Sequence, residues 1–204
     1  MLPQRCFGFE DLYSWQREVV EKLLAGEDAI VARPTGGGKS LCFQLPALID
    51  ALRRSEAAVD GSGGPPRGHK TAVVIVPSVS LMVDQVSQLN IRLGRIMGDD
   101  LTALGIAPGA KVAALLGTGQ PDPTVNQAAM AGEYRLLYIT ERLIFGASSN
   151  WLKTLQELHR AERLLFLAVD EAHVVRQCTL PASPCPCRRH LPAHLPSCAP
   201  HDCR

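Results

Sequence analysis

The sequence predicts an α/β fold, a mostly parallel sheet with helices on both faces. Three observations point there. Short apolar runs of strand length alternate with amphipathic helical stretches along the chain. The run TAVVIV at 71–76 is continuous and rich in β-branched residues, the mark of a strand covered on both faces. The two polar clusters, at 33–40 and 170–173, directly follow strand runs, and open α/β sheets hold their ligands beyond the carboxyl ends of strands.

Each element has its own reason. Residues 10–25 put Leu12, Trp15, Val19, Val20, Leu23 and Leu24 on one helical stripe, which Gly26 stops. AIVA at 29–32 is a short strand, and RPTGGG follows it as a tight loop. From Lys39 to Arg54, Leu41, Phe43, Leu45, Leu48 and Ile49 mark a second helix. Pro46 should bend that helix, because it lacks a backbone N–H and its ring crowds the preceding turn. The stretch 55–69 is rich in Gly and Pro and reads as a flexible connection. After the 71–76 strand, a helix from Ser80 to Leu93 turns Leu81, Val86 and Leu89 inward. VAALL at 112–116 and LLYI at 136–139 are strands, and 151–160 is an amphipathic helix. LLFLAV at 164–169 is an apolar strand running into Asp170.

The totals narrow the class of protein. A chain of 204 residues, 46% apolar and 20% charged, suffices for one domain with its own core and not for two large ones. Net charge is +1, so any nucleic-acid contact must come from a local basic patch. No apolar run approaches the roughly 18 residues that span a bilayer, so no membrane association is expected. The N-terminus lacks the apolar stretch of a secretory signal, so an intracellular location is expected.

The segment PTGGGKS at 34–40 lies between a strand and a helix, the setting of a phosphate-binding loop. Gly36, Gly37 and Gly38 allow the backbone to turn with positive φ and aim N–H groups at phosphate oxygens, and the following helix adds its positive end. Lys39 is placed for the β- and γ-phosphates, and the Ser40 hydroxyl for magnesium. Such a site needs a carboxylate at a neighbouring strand end. Asp170 supplies it for magnesium, and Glu171 is placed to orient or deprotonate an attacking water. His173 is read as reporting phosphate state to a neighbouring domain. These residues predict nucleotide phosphate binding and leave the reaction open, a small-molecule kinase included.

The residues also match a family. FGF at 7–9, Gln16, PTGGGKSLCFQLPAL at 34–48, VPSVSLMVDQVSQL at 76–89, LLYITERL at 136–143 and VDEAH at 169–173 resemble, in order, the motifs of RecQ helicases. The resemblance covers residues 7–177. It implies a RecA-like P-loop NTPase domain with a DEAH box, using ATP and Mg2+ to drive 3′-to-5′ DNA unwinding in repair and recombination. A nuclear location is implied by the eukaryotic members. Gln16 and Tyr13 would then contact adenine, with Tyr13 standing where the family has Arg, and Thr35 to Ser40 would hold the phosphates. Ser78, Ser80, Gln85, Thr140 and Arg142 fall in segments that resemble DNA-contacting motifs, which implies single-stranded or forked DNA bound without sequence preference. The Pro that the family has between Thr140 and Glu141 is absent.

Beyond Gln177 the resemblance ends. The segment 178–204 holds six prolines and five cysteines (Cys178, Cys185, Cys187, Cys198 and Cys203), so it is expected as a disordered tail, with a frame change, a retained intron or a mis-joined gene model as its origin. A zinc site built from those cysteines and His190, His194 and His201 lacks paired two-residue spacing. Domain bounds of 1–177 and 178–204 follow. The second half of the motor is absent, so the chain alone is expected to bind ATP and not to unwind duplex. The alternative is a catalytically silent regulatory fragment that binds ATP or DNA.

Overall fold

Five consecutive side chains that meet no solvent make the centre of the sheet. They form β1 (Thr71–Ile75), buried along its length. The computed structural model describes residues 7, 8, 10–59, 70–94, 111–117, 122–146 and 150–172. Three further strands complete the sheet: β2 (Ala113–Leu116), β3 (Leu136–Ile139) and β4 (Leu164–Val169). Their order is β2-β3-β1-β4 and every pairing is parallel. Parallel neighbours require crossovers, and helices supply them. α1 (Ser14–Ala25) and α2 (Leu41–Val59) precede the sheet. α3 (Val79–Gly94) joins β1 to β2, and α4 (Pro123–Met130) joins β2 to β3. α5 (Glu141–Phe145) and α6 (Trp151–Arg160) return the chain to β4. A mostly parallel sheet with helices is thus the fold found.

The core forms where Phe43 and Leu48 of α2, and Met82, Val86 and Leu89 of α3, meet Ala72, Val74, Leu136 and Tyr138 of the sheet. Each large side chain removed from water there contributes about 1.5–3 kcal/mol. Register then fixes the sheet's carboxyl edge. Ile75 is level with Ile139 and with Val169, so Val76, Thr140 and Asp170 leave the sheet at the same height. The Asp170 N–H donates to Ile75 O at 2.9 Å and the Val76 N–H to Ile139 O at 2.9 Å, pinning both exits.

Three local expectations change. The apolar run 29–32 is not a strand: residues 27–34 are irregular and Ile30 is 99% exposed. Four apolar residues form a strand only when a neighbour offers an edge, and among the described residues none pairs with them. α2 continues through Pro46 to Val59, so 55–59 is helix and not connection. Glu56, Ala57 and Ala58 favour helix intrinsically. The remainder of that connection, 60–69, lies outside the described residues. α4 was not expected, although its start is marked: Asp122 caps it, accepting the Thr124 N–H at 2.9 Å, with Pro123 in the first turn.

Among the described residues no helix is long and apolar enough to cross a membrane. The chain divides into Met1–Ala172 and His173–Arg204, and the second unit, with the expected tail, lies outside the described residues.

Candidate nucleotide-binding site

The phosphate loop takes the shape its glycines allow. Gly36 and Gly38 have φ of 77° and 82°, in the left-handed region. A Cβ on Gly37 would stand 3.0 Å from Pro34 O, the carbonyl that the Gly37 N–H itself reaches at 3.1 Å. Lys39 closes the turn, its Nζ donating to Arg33 O and Pro34 O, both at 3.1 Å. These carbonyls hold the ammonium beside the loop. α2 begins at once, with the Leu41 N–H on Gly38 O and the Cys42 N–H on Lys39 O, so its positive end faces the loop.

Gln16 latches this loop. It is 4% exposed, accepts the Tyr13 N–H at 3.0 Å and donates Nε2 to Gly38 O at 3.1 Å. Both halves of its amide are therefore engaged by the protein. Tyr13 is 68% exposed and lies parallel to Trp15, centroids 6.4 Å apart. The Arg33 guanidinium sits 5.0 Å from the Trp15 ring, a second tie between α1 and the loop. Thr35 is an exposed turn residue.

Asp170 directly follows β4. Its Oδ1 accepts the Glu171 N–H at 3.0 Å and its Oδ2 accepts Gln85 Nε2 at 3.3 Å. Glu171 takes a positive φ of 51°, unusual for a residue with a Cβ. Behind Asp170, Gln44 Nε2 donates to the Tyr138 hydroxyl at 3.0 Å, and burial, with the nearby Asp170 charge, raises that phenol's pKa. His173 lies outside the described residues.

Of the residues placed with DNA, Ser78 and Ser80 share a hydrogen bond of 2.7 Å at the start of α3. Thr140 caps α5, accepting the Leu143 N–H at 3.4 Å, so this turn forms without the family's Pro. Arg142 is exposed on α5. Gln85 alone of this set turns to Asp170.

A cavity of about 880 Å³ lies between the loop and α3. Gly36, Gly37, Gly38 and Ser40 line it from the loop, and Tyr13 and Gln16 from the α1 side. Gln85, Gln88 and Arg92 of α3 face them, with Gln44 from α2. The residues suit a nucleotide with its magnesium ion. The loop is open to phosphate, Ser40 offers a hard oxygen donor from the lining, and Asp170 carries a second one behind the lining residue Gln85. Gln85 Oε1 is buried without a hydrogen-bond partner, an acceptor left for a ligand. Among the described residues no three His, Cys, Asp or Glu side chains gather, so an ion here would depend on phosphate oxygens and water. That dependence is how magnesium is usually held beside nucleotides. When bound, the ion would neutralise charge on the transferring phosphate.

Comparison with known proteins decides the family. Residues 13–182 match the DEAD/DEAH box helicase family. The chain belongs to that family. Among its helicase relatives, it is 35% identical over 172 residues to the RecQ-like DNA helicase blm-1 of Caenorhabditis elegans, 84% of this chain and 14% of that protein. It is 33% identical over 170 residues to the ATP-dependent DNA helicase Q-like SIM of Arabidopsis thaliana, covering 83% and 15% respectively. The ATP-dependent DNA helicase RecQ of Haemophilus influenzae is 30% identical over 172 residues, 84% of this chain and 22% of that helicase. The chain therefore spans under a quarter of the length of these helicases. Its fold is shared with the helicase MrfA, solved bound to DNA and AMPPNP, at a TM-score of 0.55 and 23% identity over 85% of this chain and 20% of that one.

The two polar clusters stand out in the sequence; the long-range contacts around them do not. The Gln85–Asp170 bond spans 85 residues and Gln44–Tyr138 spans 94, beyond the reach of any local pattern. Arg92 carried no signal beyond its place in the last turn of a helix.

Proposed function

We propose that this chain is the nucleotide-binding half of a RecQ-like DNA helicase, taking ATP with Mg2+ in the cavity between the phosphate loop and α3. One observation carries the reading. Gly36 to Gly38 and Ser40 line the same cavity as Gln85, whose amide holds Asp170. With nucleotide bound, Lys39 would exchange its two loop carbonyls for phosphate oxygens, and Ser40 and Asp170 would be the residues to hold the ion. Tyr13 offers an exposed ring face to the base, while Gln16 fixes the loop from behind and would reach adenine only by giving up its bond to the Tyr13 N–H or to Gly38 O. Glu171 orients the attacking water, and His173 relays phosphate state.

DNA contacts belong to Ser78, Ser80, Thr140 and Arg142, at the carboxyl edge and the helices that start there. Hydroxyls and one cation suit sugar–phosphate contact, so strands are tracked without reading sequence. The resemblance to RecQ helicases supports 3′-to-5′ polarity, work on single-stranded or forked DNA in repair and recombination, and a nuclear location.

The test is calorimetric titration of the full chain with ATP and Mg2+. Lys39→Ala removes charge-assisted hydrogen bonds and should weaken binding roughly tenfold to a hundredfold. Equal affinity in the variant would end the reading. Labelled single-stranded DNA, followed by anisotropy, should bind more weakly to Arg142→Ala at every sequence alike.

A further inference from the structure

The resemblance groups Gln85 with DNA-contacting residues, but its surroundings are those of the nucleotide cavity. Its Nε2 donates to Asp170 Oδ2 at 3.3 Å. The partner being an acidic side chain settles which way the amide faces: the nitrogen must point at the carboxylate, so Oε1 points away from it. That Oε1 is buried and has no hydrogen-bond partner. The side chain lines the cavity that the phosphate loop and Ser40 also line. A buried acceptor left unmade is destabilising, so it calls for a donor that arrives with a ligand.

We infer that Gln85 is a positioning residue for the metal carboxylate, holding Asp170 through Nε2 and accepting, through Oε1, a hydrogen bond from a water on the nucleotide's divalent ion. Both halves fit the chemistry. The amide N–H donates to Asp170 Oδ2 and the Glu171 N–H to Oδ1, so the carboxylate is held at both oxygens and each keeps a lone pair for the ion or its water. A metal-bound water is a strengthened donor, and the amide oxygen is a neutral acceptor that does not compete for the cation. Partners of this outer kind orient the ligands and change metal affinity without touching the metal. Gln85 thereby separates from Ser78 and Ser80, which bond each other at the far end of the same helix start. The inference rests on the reading of the cavity as an ATP–magnesium site.

The test uses the full chain and a fluorescent ATP analogue, titrated first in EDTA and then over a range of Mg2+ concentrations. The variants are Gln85→Met, which keeps volume and length while removing both hydrogen-bonding groups, and Gln85→Ala. Affinity in EDTA should stay within about twofold of wild type, which also reports that the variants are folded. The Mg2+ concentration giving half the gain in affinity should rise roughly tenfold, the usual scale for losing an outer-shell partner. Binding of single-stranded DNA without nucleotide should be unchanged. An unaltered Mg2+ response in a wild-type chain that does bind the analogue would overturn the role of Gln85 and leave the site standing. Equal losses with and without Mg2+ would overturn it too, by showing a general packing role. Failure of the wild type to bind the analogue at all would instead overturn the cavity reading itself.

Discussion

Gly38→Ala tests how the phosphate loop is held. Gly38 has φ of 82°, where a Cβ costs about 1–2 kcal/mol. The added methyl would also lie 2.6 Å from Gln16 Nε2 and must displace it. Gln16 is 4% exposed, and the bond it would lose is the 3.1 Å contact to Gly38 O. Leaving that buried amide unsatisfied costs about a further 1–3 kcal/mol, so the variant should lose about 2–5 kcal/mol in all. In a Gln16→Ala background only the backbone strain remains, and the same substitution should cost about 1–2 kcal/mol. Urea denaturation of the four proteins of this cycle measures the coupling directly. A coupling below about 0.5 kcal/mol would refute the latch, since independent sites add to within that margin.

Other consequences follow from buried groups. Asn90 accepts the Val112 and Ala113 N–H groups at 3.1 and 3.0 Å and donates to Ala113 O at 2.8 Å, so Asn90→Ala should cost about 2–4 kcal/mol and speed hydrogen exchange at 112 and 113 ahead of the rest of the sheet. Burial raises the Cys42 thiol from 9.0 to about 11, so its stabilising protonation is complete below pH 9 and is lost as pH climbs towards 11. At pH 8.5 its thiolate is about a hundredfold scarcer than in the unfolded chain, and peptide mapping after iodoacetamide should show alkylation slowed on that order against a urea control. Tyr138→Phe leaves the buried Gln44 amide without its acceptor, for a loss of about 1–3 kcal/mol by urea denaturation. Because burial raises the Tyr138 pKa above its ordinary 10.0, its stabilisation is full below pH 10 and falls above it, and the alkaline decline of stability should be shallower in the Phe variant.

Much of this molecule is legible in its residues, and the exceptions share a cause. β1, β3 and β4 can be read directly because continuous apolar runs bounded by polar residues leave one arrangement open; parallel pairing buries β1 and β3, while β4, at the end of the strand order, leaves Leu167 and Val169 exposed. The positive-φ turn at Gly36 and Gly38, and the exit of Asp170 from a strand end, are legible because each depends on neighbouring residues. The run 29–32 looks identical in kind to those strands, yet Ile30 is 99% exposed, because pairing depends on a neighbouring edge that no local pattern encodes. Residues 55–59 were obscured by the glycines and prolines that follow them, although Glu56, Ala57 and Ala58 by themselves favour helix. Gln85 illustrates the limit in the site. Its spacing along α3 says only that it lies near Ser78 and Ser80, whereas the 3.3 Å contact that assigns it to Asp170 exists only once β1 and β4 are paired.

The central claim is that Ser40 and Asp170 serve one ion on one bound nucleotide. Magnesium-dependent ATP affinity, measured for the wild type, Ser40→Ala, Asp170→Asn and the double variant, tests it most directly. One shared ion predicts strongly non-additive losses, the second substitution costing little once the first has removed the site. Additive losses would contradict it.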